Sequence, residues 1–298
     1  MKKIIIAIIV IAIVVFGIYY FINSSKSVSL TNSQNVATTT SNVATTTPVN
    51  KDETVIGKSV EGRDIVAYHY GVGEKQLLLV AGVHGGYAWN TTLLAYKVMD
   101  YLKANPSTIP ANIKVTIIPV LNPDGLYKVV GTTTKNFTKA DVSASSAVTV
   151  AGRFNGNEVD LNRNFDCDWK TSGVWQSKTV SGGSSAFSEP ESLALKNYIV
   201  ANKPVAVVAY YSAAGGVYSS ACGSPISAET KALTSAYAKA SAYPASAEFN
   251  SYETSGDLTN WLAKINIPAI SVLLTNHTDT DWSNNNAGIL ALIKYLSK

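Results

Sequence analysis

The chain has 298 residues, 46% of them hydrophobic, and 24 Lys plus Arg against 20 Asp plus Glu give a formal net charge of +4. Only three of the cations are arginines, Arg63, Arg153 and Arg163, and no dense Lys/Arg tract occurs, so a nucleic-acid surface is not expected. Two cysteines, Cys167 and Cys222, allow a single pairing, which belongs in an oxidising compartment.

Lys2 and Lys3 precede Ile4 to Ile22, nineteen residues without a charge. That is about the length that crosses a bilayer core at roughly 1.5 Å per residue. Two lysines before the run and only Lys26 shortly after it place the N-terminus inside and the rest outside. The run is longer than the roughly 7–15 residues of a signal-peptide core and no A-x-A site follows, which favours an uncleaved anchor. Residues 1–3 are therefore read as a cytoplasmic N-terminus and 4–22 as a single-pass transmembrane helix. The domain beyond it lies outside the cytoplasm, in the periplasm or at the cell surface. Residues 23–52 are rich in Ser, Thr, Asn and Val, with Asn35-Val36-Ala37-Thr38-Thr39-Thr40 repeated from Asn42 to Thr47. Such a segment cannot build a core and reads as a stalk. About 245 residues, 53–298, remain for one large domain.

Val55 to Tyr70 reads as two strands around the turn-like Val60-Glu61-Gly62-Arg63. Leu77 to Ala81 is a short apolar strand, and Thr91 to Ala104 has helical spacing at Leu93, Leu94, Val98, Met99 and Leu102. Ile113 to Leu121 is a further strand, ended by the turn Asn122-Pro123-Asp124-Gly125. Residues 132–158 read as a long loop. Ser188-Glu189-Pro190-Glu191 reads as a capping box opening a helix to about Ala201. Val205 to Tyr211 is a strand, Ser227 to Ser241 and Ser255 to Ile265 are helices, Pro268 to Leu274 is a strand and Ala287 to Leu296 a closing helix. Apolar strands alternating with amphipathic helices imply a three-layer α/β/α fold with a mixed, mostly parallel central sheet. Ligands of such folds sit at the carboxyl ends of strands, where His84, Asn122, Ser212 and Thr275 fall.

Four segments of 53–298 carry a family likeness: Gly82-Val83-His84-Gly85-Gly86; Asn122-Pro123-Asp124-Gly125; Val159-Asp160-Leu161-Asn162-Arg163-Asn164-Phe165-Asp166; and Tyr252-Glu253-Thr254-Ser255-Gly256-Asp257, followed by Trp261. In their joint order they resemble the zinc metallocarboxypeptidases of the carboxypeptidase A/B type, including bacterial members that cut cell-wall peptides. The resemblance implies that Asn162 and Arg163 grip a substrate's terminal carboxylate, as a guanidinium fork and an amide donor suit. It implies that Arg153 polarises the scissile carbonyl and that Tyr252 closes over bound peptide. It also puts Cys167 and Cys222 at the rim of one cleft, as a disulfide that staples it.

The same resemblance exposes the losses. The family's second zinc ligand is a Glu three residues after the His, where this chain has Tyr87. Its third is a His before a Ser at a strand end, where Tyr211 stands. Its general base is a Glu at the position of Leu273. A catalytic zinc needs three protein ligands and an open position for water, which His84 alone does not supply. No catalytic residue is therefore intact and no cofactor is expected, unless zinc is held in a rebuilt site by His277 with Asp279 or Asp281. His69, the remaining histidine, reads as a packed strand residue. The leading expectation is a membrane-anchored, inactive relative that binds peptide or cell-wall peptide carboxylates. The alternatives are an active metallocarboxypeptidase with an altered metal site, and an interaction domain whose cleft is filled by Tyr87, Tyr211 and Leu273.

Overall fold

In a computed structural model of the chain, which describes residues 52–298, eight strands make the main sheet: β1 (Glu53–Lys58), β2 (Asp64–Tyr70), β3 (Lys75–Val80), β4 (Ile113–Ile118), β7 (Ala206–Ser212), β8 (Gly216–Ser219), β9 (Ala245–Ser246) and β10 (Ala269–Leu274). Their order is β1-β2-β4-β3-β7-β10-β8-β9. The inner four, β4-β3-β7-β10, are parallel, and antiparallel pairs flank them at β2–β4 and β10–β8. A separate hairpin pairs β5 (Ser172–Trp175) with β6 (Lys178–Ser181).

Both faces of the inner strands are buried, which is why they read as unbroken apolar runs. Leu77, Leu79, Val208, Tyr210, Ile270, Val272 and Leu274 point into one core. Their neighbours Leu78, Val80, Val207, Ala209, Tyr211 and Leu273 point into the other. The first core is covered by α1 (Trp89–Ala104), α2 (Pro123–Val130), α5 (Ala228–Ser241) and α7 (Trp282–Leu296), the second by α4 (Pro190–Asn202) and α6 (Leu258–Lys264). This is the expected three-layer α/β/α architecture.

Local signals account for the departures from the sequence reading. The expected turn after β4 is instead helix α2: the Asn122 side chain accepts from the Gly125 N–H, Pro123 opens the first turn, and Gly131 at φ 73 ends it. The long loop contains a short helix, α3 (Ser146–Ala151), capped by Ser145. The capping box before α4 does not form, because the Ser188 hydroxyl donates to the Glu189 carboxylate and Glu189 caps with its backbone alone. Helix α7 starts at Trp282, five residues before the expected Ala287, and α6 is shorter than expected. Strands β5, β6, β8 and β9, at most four residues each, carry too little pattern to read. His69 is a satisfied strand residue, its ring between Thr54 and Thr116. Among the described residues no helix is long and apolar enough to cross a membrane; the segments read at 1–3 and 4–22, and all but the last residue of the stalk, lie outside them.

Candidate functional site

The carboxyl ends of β3, β7 and β10 open into a cavity of about 590 Å³. Its wall holds His84, Tyr87, Arg153, Asn162, Arg163, Tyr211, Tyr252, Leu273 and His277, so the fold brings the expected site residues together. Tyr211 and Leu273 are neighbours because β7 and β10 run parallel with these two residues in register. They line the cavity and do not fill it, which corrects the expectation of a cleft closed by bulky replacements.

His84 sits in the turn between β3 and α1, 5% exposed. Its Nε2 lies 3.6 Å from Asp160 Oδ1, too far for a hydrogen bond, and neither ring nitrogen has a partner among the described residues. Burial, then the nearby Arg153 charge, holds its pKa well below the ordinary value, so the ring is neutral and its approach to Asp160 is not an ion pair. Tyr211 packs against this ring at 5.2 Å between centroids. Its hydroxyl donates to Asn162 Oδ1 at 2.9 Å, and burial, then the Asp257 charge, raises its pKa well above the usual phenol value.

Asn162 is tied on three sides. Its Oδ1 also accepts from the Leu258 N–H at 3.1 Å, and its Nδ2 donates to Asp257 at 2.7 Å. The two arginines differ in their neutralisation. Arg153 donates through Nε to Asp160 Oδ2 at 2.9 Å, with Nη2 in ionic contact at 2.8 Å though poorly aligned for a hydrogen bond. Burial acts to raise the Asp160 pKa, but Arg153 overrides it, with help from Arg163, and the carboxyl is held below its ordinary value. Arg163, 1% exposed, has no such partner. Its Nη1 and Nη2 donate to the carbonyls of Asn162 and Val174 at 2.8 and 2.7 Å, its Nε is unpartnered, and no carboxylate among the described residues pairs with it.

The β5–β6 hairpin covers both guanidinium groups. The Trp175 indole stacks on Arg153 at 4.4 Å, and Gly173 passes so close to Arg163 that a Cβ there would stand 2.8 Å from its Cδ. The Tyr252 ring lies 5.7 Å from the Arg163 guanidinium and packs on Phe249. A disulfide joins Cys167 to Cys222 with 6.0 Å between Cα atoms, beside the cavity-lining Asp168 and Ala221.

His277 is half-buried against Tyr87, 4.6 Å between ring centroids, and its Nδ1 lies 3.0 Å from Ser212 Oγ. The carboxylates expected to join it are engaged elsewhere: Asp281 takes the Thr275 N–H and hydroxyl and the Tyr243 hydroxyl, and Asp279 takes Asn276. Among the described residues, the one group of three close metal-donor side chains is Cys167, Asp168 and Cys222, whose sulfurs form the disulfide. His84 and His277 are therefore not gathered with a carboxylate into a ligand set. The sequence reading missed Trp175, whose hairpin left no period, and Asp160 and Asp257 as anchors. The last two lie inside the segments 159–166 and 252–257, but only the fold shows what they hold.

Residues 37–297 match the family model described as "Zinc carboxypeptidase". The match starts within the segment read as a stalk, ahead of β1. Human carboxypeptidase D is 30% identical over 123 residues, 37% of this chain and 8% of that protein, so the likeness takes in a small part of its length. Among solved structures, the murein-tripeptide amidase of Escherichia coli O157 superposes with a TM-score of 0.57 at 20% identity, over 83% of this chain and 92% of that one. The carboxypeptidase A of Helicoverpa armigera gives a TM-score of 0.60 at 19% identity, over 83% and 69%.

Proposed function

The chain belongs to the zinc carboxypeptidase family, and from that premise we propose that its cleft binds the terminal carboxylate of peptides without a catalytic zinc. The observation that carries this reading is Arg163. A buried guanidinium whose only hydrogen-bond partners among the described residues are two backbone carbonyls is incompletely compensated, and a carboxylate entering the cavity would complete it. The half-buried Tyr252 ring beside it suits closure over such a ligand, and Arg153 stands ready to meet the ligand's last carbonyl group. The family's peptide C-terminus binding and the name of the murein-tripeptide amidase are the grounds for including cell-wall peptides. Anchoring by residues 4–22, with the domain outside the cytoplasm, belongs to the same proposal.

The donor set does not fit a catalytic zinc. His84 offers one nitrogen, the Tyr211 hydroxyl is protonated and bound to Asn162, Tyr87 has no carboxylate, and Leu273 has no donor at all. Leu273 also cannot act as the base that the family's mechanism places at its position. The test is titration of the full chain with a peptide bearing a free C-terminus. Arg163→Ala is expected to weaken binding by roughly 10- to 100-fold, the scale of a charge-assisted hydrogen-bond pair. Unchanged affinity in that variant would refute the reading. Peptide cleavage that a chelator stops would favour a rebuilt metal site instead.

A further inference from the structure

We propose that Ser212 and His277 form a nucleophile–base pair that gives this cavity a metal-independent acyl-transfer activity. The two side chains come from separate elements and meet at the cavity wall. Ser212 ends β7, and His277 sits in the loop after β10; Oγ and Nδ1 are 3.0 Å apart, within the reach a base needs to take a hydroxyl proton. Both are incompletely buried and both line the cavity that holds Arg153 and Arg163.

A third residue fixes the pair. Asn90, on α1 and fully buried, donates through Nδ2 to the carbonyls of Asn276 at 2.8 Å and Asp279 at 2.9 Å. Those bonds clamp the loop on either side of His277. With both amide hydrogens used, its Oδ1 accepts the Ser212 hydroxyl proton at 3.1 Å, which leaves an Oγ lone pair facing Nδ1 until the hydroxyl turns. Tyr87 packs on the imidazole from the other side. Nucleophile, base and orienting residue are thus placed by three elements. Burial, then the Arg153 charge, lowers the His277 pKa, which keeps the ring unprotonated near neutral pH.

In the proposed arrangement His277 carries its proton on Nε2, and the Ser212 hydroxyl turns from Asn90 Oδ1 to donate to Nδ1. Oγ adds to the acyl carbon of an ester or amide as the hydroxyl proton passes to Nδ1. The bond to the leaving alcohol or amine then breaks, and that group takes the proton from His277. Water adds to the Ser212 ester, again giving a proton to Nδ1, and breakage of the ester bond releases the acid and restores the hydroxyl. The substrate class is an acyl ester or amide that carries a carboxylate, since two arginines share the cavity.

The test treats the full chain, in chelator, with a fluorophosphonate that reports on activated serines. One adduct per chain, mapped to Ser212, is expected, absent in Ser212→Ala and formed at least 10-fold more slowly in His277→Gln. Because those variants remove groups that hold the loop, a second reading uses Ser212→Cys. Its alkylation by iodoacetamide is expected to be about 10-fold faster than that of Ser212→Cys combined with His277→Gln. No adduct on Ser212 at saturating reagent, or rates indifferent to His277 in both assays, would overturn the proposal. Carboxylate binding is read separately by titration of the Arg163 variant, so either reading can fail while the other stands.

Discussion

Arg163 and His84 show how single side chains define this cleft. Both are almost wholly buried, and both carry polar nitrogen with no partner among the described residues. For His84 the consequence is a pH dependence of stability. Its folded pKa lies below the ordinary value of 6.5 because burial, then Arg153, disfavours its charged form. Below about pH 6.5 the unfolded chain takes up a proton that the folded chain refuses, so folding stability falls as pH drops. One such group contributes a slope of about 1.4 kcal/mol per pH unit. The lowered values of His69 and His277 act in the same direction, and the raised value of Glu191 opposes them. Asp160, held below the ordinary value of 3.8, acts only in more acid solution. The contribution of His84 is therefore read as a difference. Urea unfolding between about pH 5 and 6.5 is expected to give a shallower slope for His84→Gln than for the wild type by up to that amount. Identical slopes would mean that the folded chain protonates the ring as readily as the unfolded one. Of the site residues, those in dense motifs were legible: His84, Asn162 and Arg163 all line the cavity. Their partners were not, because Asp257 reaches Asn162 across 95 residues and Trp175 reaches Arg153 from a hairpin without a pattern.

Among the elements, the β5–β6 hairpin and the disulfide shape the rim. Gly173 lets the hairpin backbone lie on Arg163, where the Val174 carbonyl takes Nη2. A methyl group there would force the hairpin or the arginine to move. Gly173→Ala is expected to weaken carboxylate binding about 10-fold with little loss of fold, a shift on the scale of one misplaced hydrogen bond; titration of the variant checks it. The Cys167–Cys222 bridge closes a sequence separation of 55 residues, for which chain entropy gives up to about 4 kcal/mol. Replacing both cysteines with Ser is expected to lower the Tm by roughly 10 °C for a domain of this size, as calorimetry would show. An unchanged Tm would mean that the rim is held by its other contacts. Long elements were legible in the sequence because burial on both sheet faces leaves an apolar run and amphipathic helices leave a 3.6-residue period. Helix α2 reads as a turn in the sequence although Asn122, Pro123 and Gly131 mark both of its ends. Eight residues leave a period too short to outweigh the turn chemistry of Asn-Pro-Asp-Gly.

For the molecule as a whole, the parallel strands β4, β3, β7 and β10 carry their chain ends to one side, and the cavity opens there. This is the family's three-layer scaffold, and the proposal is that its cleft binds a carboxylate without a catalytic zinc. The three-layer architecture was legible from strand–helix alternation, and the family from the joint order of four motifs. The state of the cleft was not, since only packing shows that Tyr211 and Leu273 leave it open. The most direct measurement of the central claim is the zinc content of the full chain after zinc loading and desalting. Near zero zinc per chain is expected, with carboxylate binding unaffected by chelator. Near one zinc per chain, lost on His84→Ala, would contradict it.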